Sequence, residues 1–295
     1  MKQPFGSILK LTFAPNGSWL NLGPGWAVLA GVLSAGALEF SFAAGLQLLA
    51  LWLLVDPLLG TLWNLAVPQR LWQGLAPVVL PATPNNGFYL PYAQPDSLAG
   101  QGVVWLRRYG RWWREWYWPE HGDDCMTFLL GAGVALLISF ALGPTLFQLT
   151  LLAIGLTVLA GQMPSNLSAG EGGRLQSVAQ LLLPWIMGIV LRSNLTILGL
   201  LLVLCYWISY LGGLRMLGRH QRAEWLFWLG QVAAMLLLLA LGQLPGGAGL
   251  GVMLAAQRLI HTKLNSPTDF LPKAQPYLVA SVLIAGWSLG LLFNV

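Results

Sequence analysis

Charge is scarce in this chain. Asp, Glu, Lys and Arg make up 8% of its 295 residues, against roughly 25% in soluble domains. So few charges cannot cover the surface of a soluble protein this size, which excludes a water-soluble fold. Cysteine is scarce as well. Cys125 and Cys205 are the only two, and they fall in segments at different membrane depths, which argues against a disulfide. With no CxxC and no Cys/His cluster, nothing points to a zinc site. The first residues, MKQPFGSILK, lack the apolar run and small-residue cleavage site of a signal peptide. They read as a short cytoplasmic lead-in. There is no short-period repeat and no long linker, so residues 1–295 read as a single integral membrane domain.

What the chain has is apolar length. Hydrophobic residues reach 56%, the mean hydropathy is +0.67, and there are 15 Trp, a residue enriched at membrane–water interfaces. A span needs about 20 mainly apolar residues. Residues 23–67 are too long a run for one span and divide near Glu39–Ser41. This gives predicted helices at 23–39 and 43–67, followed by 126–142, 145–162, 176–191, 194–212, 224–242, 246–260 and 275–293. The fold class expected is an all-α polytopic transmembrane bundle of about nine helices. The net charge of +5 fits positive-inside topology and anionic lipid headgroups better than nucleic acid. With the N-terminus cytoplasmic and the C-terminus outside, all but one of the 15 basic residues fall on the inside, the exception being Arg192. Removing one helix from the middle inverts later loops and destroys that bias. With no eukaryotic targeting signal in view, the bacterial inner membrane is the expected location.

Residues 68–125 form the one long loop, placed in the cytoplasm. Its first part, PATPNNGFYLPYAQPDS, is rich in turn formers. Over 103–118, Trp105, Tyr109, Trp112 and Trp116 share one helical face, with Arg107, Arg111 and Arg114 opposite. That pattern predicts an amphipathic helix in the membrane interface, as an anchor or, less simply, as a lid over a cavity.

Asp56 lies within the second predicted span, where a carboxylate costs about 2.5–3.5 kcal/mol on insertion scales and needs a partner. Pro57, next to it, frees backbone groups and tends to kink a helix. The simple reading of Asp56 is a hydrogen-bonded packing residue; the sharper one is a ligand or ion contact. His121, His220 and His261 fall in inside loops, where lone histidines are usually solvent-exposed. Asp123 and Asp124 precede the third span and suit a helix N-terminus. Gly247 and Gly251 have the small-xxx-small spacing of close helix packing. No catalytic or metal-ligating group is assigned on these patterns.

The topology, with its long cytoplasmic loop after helix two and basic loop after helix six, resembles the UbiA family of membrane prenyltransferases. That family's second aspartate motif resembles D-x-x-G-D-R-x-x-G-K. Here YLGGLRMLGR keeps Gly213, Arg215 and Gly218, with Arg219 for Lys, but Tyr210 and Leu214 replace the aspartates. The first motif resembles N-D-x-x-x-D. In VDPLLG only Asp56 answers to it, with Gly60 at the second position, and placing Asn64 there instead leaves no following aspartate. The resemblance implies a fold built to hold isoprenoid tails. It also implies that the carboxylates for magnesium and diphosphate, which need hard oxygen ligands, are largely gone.

Three functions follow as expectations. The first is a non-catalytic accessory or structural subunit, partnered by membrane lipids and other integral membrane subunits, with lipid, quinone, chlorophyll or carotenoid as bound molecules. The second is a divergent prenyltransferase, in which Arg215, Arg219 and Arg222 grip diphosphate and Asp56, Asp123 and Asp124 hold magnesium. The third is a transporter, for which a lone intramembrane acid is thin equipment. The ligand-binding candidates are therefore Asp56, Asn64, Tyr210, Arg215, Arg219 and Arg222.

Overall fold

The break expected near residue 40 is made by Ser41, whose Oγ accepts the Ala44 backbone N–H at 3.1 Å and caps the helix that follows. The computed structural model describes residues 24–36, 41–67, 98–162, 174–192, 195–217, 223–264 and 266–293. All the secondary structure among them is helical. In chain order the helices are α1 (Gly25–Ser34), α2 (Phe42–Ala66), α3 (Leu98–Trp112), α4 (Trp118–Leu142), α5 (Pro144–Gln162), α6 (Arg174–Arg192), α7 (Ile197–Leu217), α8 (Ala223–Ala240), α9 (Leu244–Lys263) and α10 (Pro267–Leu291). Three π-helical turns interrupt the regular pattern: Leu54–Leu58 in α2, Trp113–Tyr117 between α3 and α4, and Val178–Leu182 in α6.

A helix stands at each of the nine expected positions. Seven are long and apolar enough to cross a membrane, so the chain is an integral membrane helical bundle. Two differ from the expectation. α1 stops at Ser34 rather than near residue 39, because Gly36 takes a positive φ of 72° that closes the helix. At ten residues, α1 is about 15 Å long, half a hydrocarbon core. α9 has the length but carries Gln257, Arg258, His261 and Lys263, and it is not among the seven. α10 also begins earlier than expected, at Pro267 rather than 275. A proline at the first helical position leaves no hydrogen bond unmade, and the helix continues through Pro272 and Pro276.

Two apolar clusters fill the bundle. One joins α1 with α6 through α10; the other joins α2, α4 and α5. α1 and α6 are the shared wall. Trp26, Ala27 and Ala30 of α1 and Leu181, Trp185 and Ile189 of α6 face the first cluster, while Val28, Leu183 and Met187 face the second. α1 packs between α6 and α10. At its crossing with α6, a Cβ on Gly31 would collide with the Trp185 carbonyl, and one on Gly188 with the Val28 carbonyl. Such close backbone approach is the usual basis of tight helix pairs in lipid. Gly286 rests on Ala30 and Gly290 on Leu33 and Gly36, so α1 and α10 run in the same direction. α7 and α10 are central, each 56% buried over its apolar stretch; α4 is peripheral at 22% and turns Leu130, Leu137 and Phe140 outward. Gly247 packs closely against Leu239, where a Cβ would collide, while at Gly251 a Cβ would meet Met235 only at an ordinary 3.6 Å contact.

The expected separate interfacial helix at 103–118 is instead the start of a longer one. α3 begins at Leu98 and passes through the π turn into α4 without a break, a helical run of roughly 65–70 Å at 1.5 Å per residue. Asp123 and Asp124 therefore lie inside a continuous helix, not at a helix start. Residues 68–97 lie outside the described residues.

Candidate functional site

Pro57 has no N–H to donate and its ring crowds the carbonyl four residues back. α2 accommodates it by widening into the π turn Leu54–Leu58, a device often found at functional sites. The turn leaves Asp56 buried, 3% exposed. The Pro57 carbonyl accepts the Thr61 hydroxyl at 2.6 Å. The Asp56 carboxylate lies against the start of α1: a Cβ on Gly25 would sit 3.2 Å from Asp56 Oδ2, with the Trp52 indole covering the same glycine. A helix N-terminus favours a negative charge nearby, which offsets part of the cost of placing a carboxylate here.

Asn64 is half-buried two turns further along α2, about 12 Å from Asp56 along the axis. Its Nδ2 is buried and, among the described residues, makes no hydrogen bond; the same holds for Nε1 of Trp26 in α1. The fold does not bring Asn64 and Asp56 into one motif.

Tyr210 stands where the resemblance expects an aspartate. It is fully buried, 1% exposed, and its hydroxyl donates to the side-chain oxygen of Gln180. Gln180 projects from the π turn of α6 and also accepts Nε2 of Gln176 at 3.2 Å. One turn away, Trp207 Nε1 donates to Ser177 Oγ at 2.9 Å, and that hydroxyl donates to the Arg174 carbonyl at 2.7 Å. The result is a seam of neutral hydrogen bonds between α6 and α7. Leu214, at the second aspartate position, is buried in the apolar cluster. Arg215 is half-buried in the last turn of α7, where a cation complements the helix dipole. Arg219, Arg222 and His220 lie outside the described residues. Among the described residues, no three His, Cys, Asp or Glu side chains come together as a metal site.

The aromatic face of α3 is only partly as expected. Tyr109 and Trp112 pack as tilted rings with centroids 5.4 Å apart, and the Trp112 and Tyr117 centroids are 5.1 Å apart. Trp112 is buried in this cluster with Tyr117 and Cys125 rather than laid flat on lipid. The π turn Trp113–Tyr117 adds a residue to one turn, so a face drawn at about 100° per residue does not carry through it. Trp105 and Trp116 lie on the helical run, but their side chains fall outside the described residues. Burial, with Cys125 close by, holds the Tyr117 phenol well above its usual pKa. Cys125 and Cys205 are both free thiols.

The sequence reading missed two features. Gln180 had no motif to announce it, and only its pairing with Tyr210 across α6 and α7 gives it meaning. The second is a groove of about 560 Å³ between α8 and α9, lined by Glu224, Trp225, Trp228, Leu229, Val232 and Arg258. His261 was expected in a loop; it lies on α9, as Arg258 does, and it approaches Glu224 at 3.5 Å. The Glu224–Trp228 spacing of four was the available signal. No family model, curated protein or solved structure matches the chain.

Proposed function

We propose that this chain is a non-catalytic integral membrane protein of UbiA-like descent. In this reading it is an accessory subunit of a larger complex in a bacterial inner membrane, and it binds lipid or isoprenoid-tailed molecules such as quinones, chlorophylls or carotenoids. The observation that carries the reading is the Tyr210–Gln180 hydrogen bond. At the position where the resemblance expects a metal-binding carboxylate stands a buried, neutral and already partnered hydroxyl. A phenol in that setting is a poor ligand for magnesium, which takes hard oxygen donors from carboxylates, carbonyls and phosphates. The outward Leu and Phe side chains of the peripheral α4 supply apolar surface for a neighbouring subunit as well as for lipid.

Native purification in mild detergent, with an absorption spectrum and mass spectrometry of everything retained, tests this reading. Stoichiometric partner subunits, with or without a bound quinone or pigment, are the expected result. A solitary, colourless protein carrying only phospholipid would sink the accessory role. Magnesium-dependent prenyl transfer that is lost in Asp56→Asn would replace it with the enzyme reading.

A further inference from the structure

The groove between α8 and α9 has a polar end and an apolar end. At the polar end, Glu224 Oε1 receives three groups: Trp228 Nε1 at 3.1 Å, Arg258 Nη1 at 3.2 Å and His261 Nε2 at 3.5 Å. Its second oxygen, Oε2, has no partner among the described residues. Arg258 lies over the Trp228 ring at 5.4 Å and uses one of its five donors on Glu224. Cation and carboxylate are both open to the surroundings, at 59% and 44% side-chain exposure. Among the described residues, the polar end therefore offers unused guanidinium donors beside an unused carboxylate oxygen, with the one arginine balancing the one carboxylate. From there the groove runs along α8 past Leu229 to Val232, about 12 Å from Glu224 at 1.5 Å per residue. Leu229, Val232 and Trp225 are all exposed, and Trp is at home at a membrane interface.

We propose that this groove is a binding site for a phospholipid whose headgroup carries both a phosphate and a primary ammonium, of the phosphatidylethanolamine type. The phosphate takes the free Arg258 donors, which suit phosphate oxygens. The ammonium donates to Glu224 Oε2, and the acyl chain lies over Leu229 and Val232. A purely anionic headgroup gains the arginine and meets the carboxylate unfavourably. A quaternary ammonium has no N–H for Oε2. The inference rests on the lipid-binding part of the proposed function and fixes its place and chemistry.

The test uses the full-length protein, delipidated in mild detergent. It is titrated with phosphatidylethanolamine, phosphatidylglycerol and phosphatidylcholine of identical chains, and bound lipid is counted by native mass spectrometry. Phosphatidylethanolamine should bind about tenfold tighter than the other two, the effect of one added charge-assisted contact. Glu224→Gln should erase its advantage over phosphatidylglycerol, and Arg258→Gln should weaken both by about tenfold. Leu229→Trp, which fills the groove and leaves the charges in place, should lower binding of all three lipids. Glycerophosphoethanolamine, the same headgroup without chains, should not displace the lipid at equal concentration. Equal affinity for the three lipids, unchanged preference in both charge variants, or displacement by the chainless headgroup would each overturn the proposal. A solitary protein on native purification that still prefers phosphatidylethanolamine would sink the accessory-subunit reading and leave this site standing.

Discussion

Gln231 of α8 and Gln257 of α9 show how a side chain without charge fixes two helices. Both are fully buried, and their amides bond reciprocally, Gln257 Nε2 to Gln231 Oε1 at 2.8 Å and Gln231 Nε2 to Gln257 Oε1 at 3.2 Å. In lipid the unpaired alternative is costly, because no water substitutes for the lost partner. Gln257→Leu leaves Gln231 with only the long contact to the Phe227 carbonyl at 3.5 Å, and should cost about 1–3 kcal/mol. The double variant Gln231→Leu/Gln257→Leu removes both partners and should sit closer to wild type than the sum of the single changes. Thermal unfolding in detergent for the four members of the cycle measures this coupling, and strictly additive losses would refute it. At the same scale, Asp56 was legible in the sequence as a residue out of place in a span. That Tyr210 finds Gln180 was not, because thirty residues and a helix reversal separate them.

Among the elements, the π turns and the glycine contacts decide the geometry. Pro57 explains the widening of α2. The other two π turns contain no proline, and each shifts the helical face after it by about one residue. The crossing of α1 and α6 depends on backbone touching backbone at Gly31 and Gly188. Gly31→Leu or Gly188→Leu must force the two helices apart and should cost at least about 2–3 kcal/mol, with a loss of recoverable folded protein. Among the described residues, no atom lies within 4 Å of a would-be Cβ on Gly133 in α4 or Gly155 in α5. Alanine there should be neutral or stabilising by up to about 1 kcal/mol through helix propensity. Comparing melting temperatures across these four positions separates close packing from mere glycine content; equal effects at all four would contradict the contacts described.

For the whole molecule, the direction of the chain is the testable quantity. α1 and α10 point the same way, and the hairpins of α7 with α8, α8 with α9 and α9 with α10 alternate between them. A bundle in which each of the nine positions crosses the membrane has its termini on opposite sides. Reporter fusions, or labelling of single cysteines placed at residue 2 and residue 294 in a cysteine-free background, should find the first on the cytoplasmic side and the second outside. Both termini on one side would mean that one helix, with the short α1 first in question, does not cross.

The sequence by itself determined that this is a membrane protein, where its helices lie, and which residue is anomalous. Hydropathy and the distribution of the 15 basic side chains are local properties, written along the chain and readable without a partner. It also marked Gly247 as a packing residue, because close approach leaves a small-residue spacing behind it. What it did not determine was where regular periodicity fails: the end of α1 at Gly36, the continuous run of α3 into α4, and the burial of Trp112. A periodic pattern assumes one fixed turn, and a π turn breaks that assumption without any residue that must announce it. Only the tertiary structure brought Tyr210 to Gln180, and Arg258 and His261 to Glu224. Those meetings depend on which helices are neighbours and at what depth, a property of packing that no single segment contains.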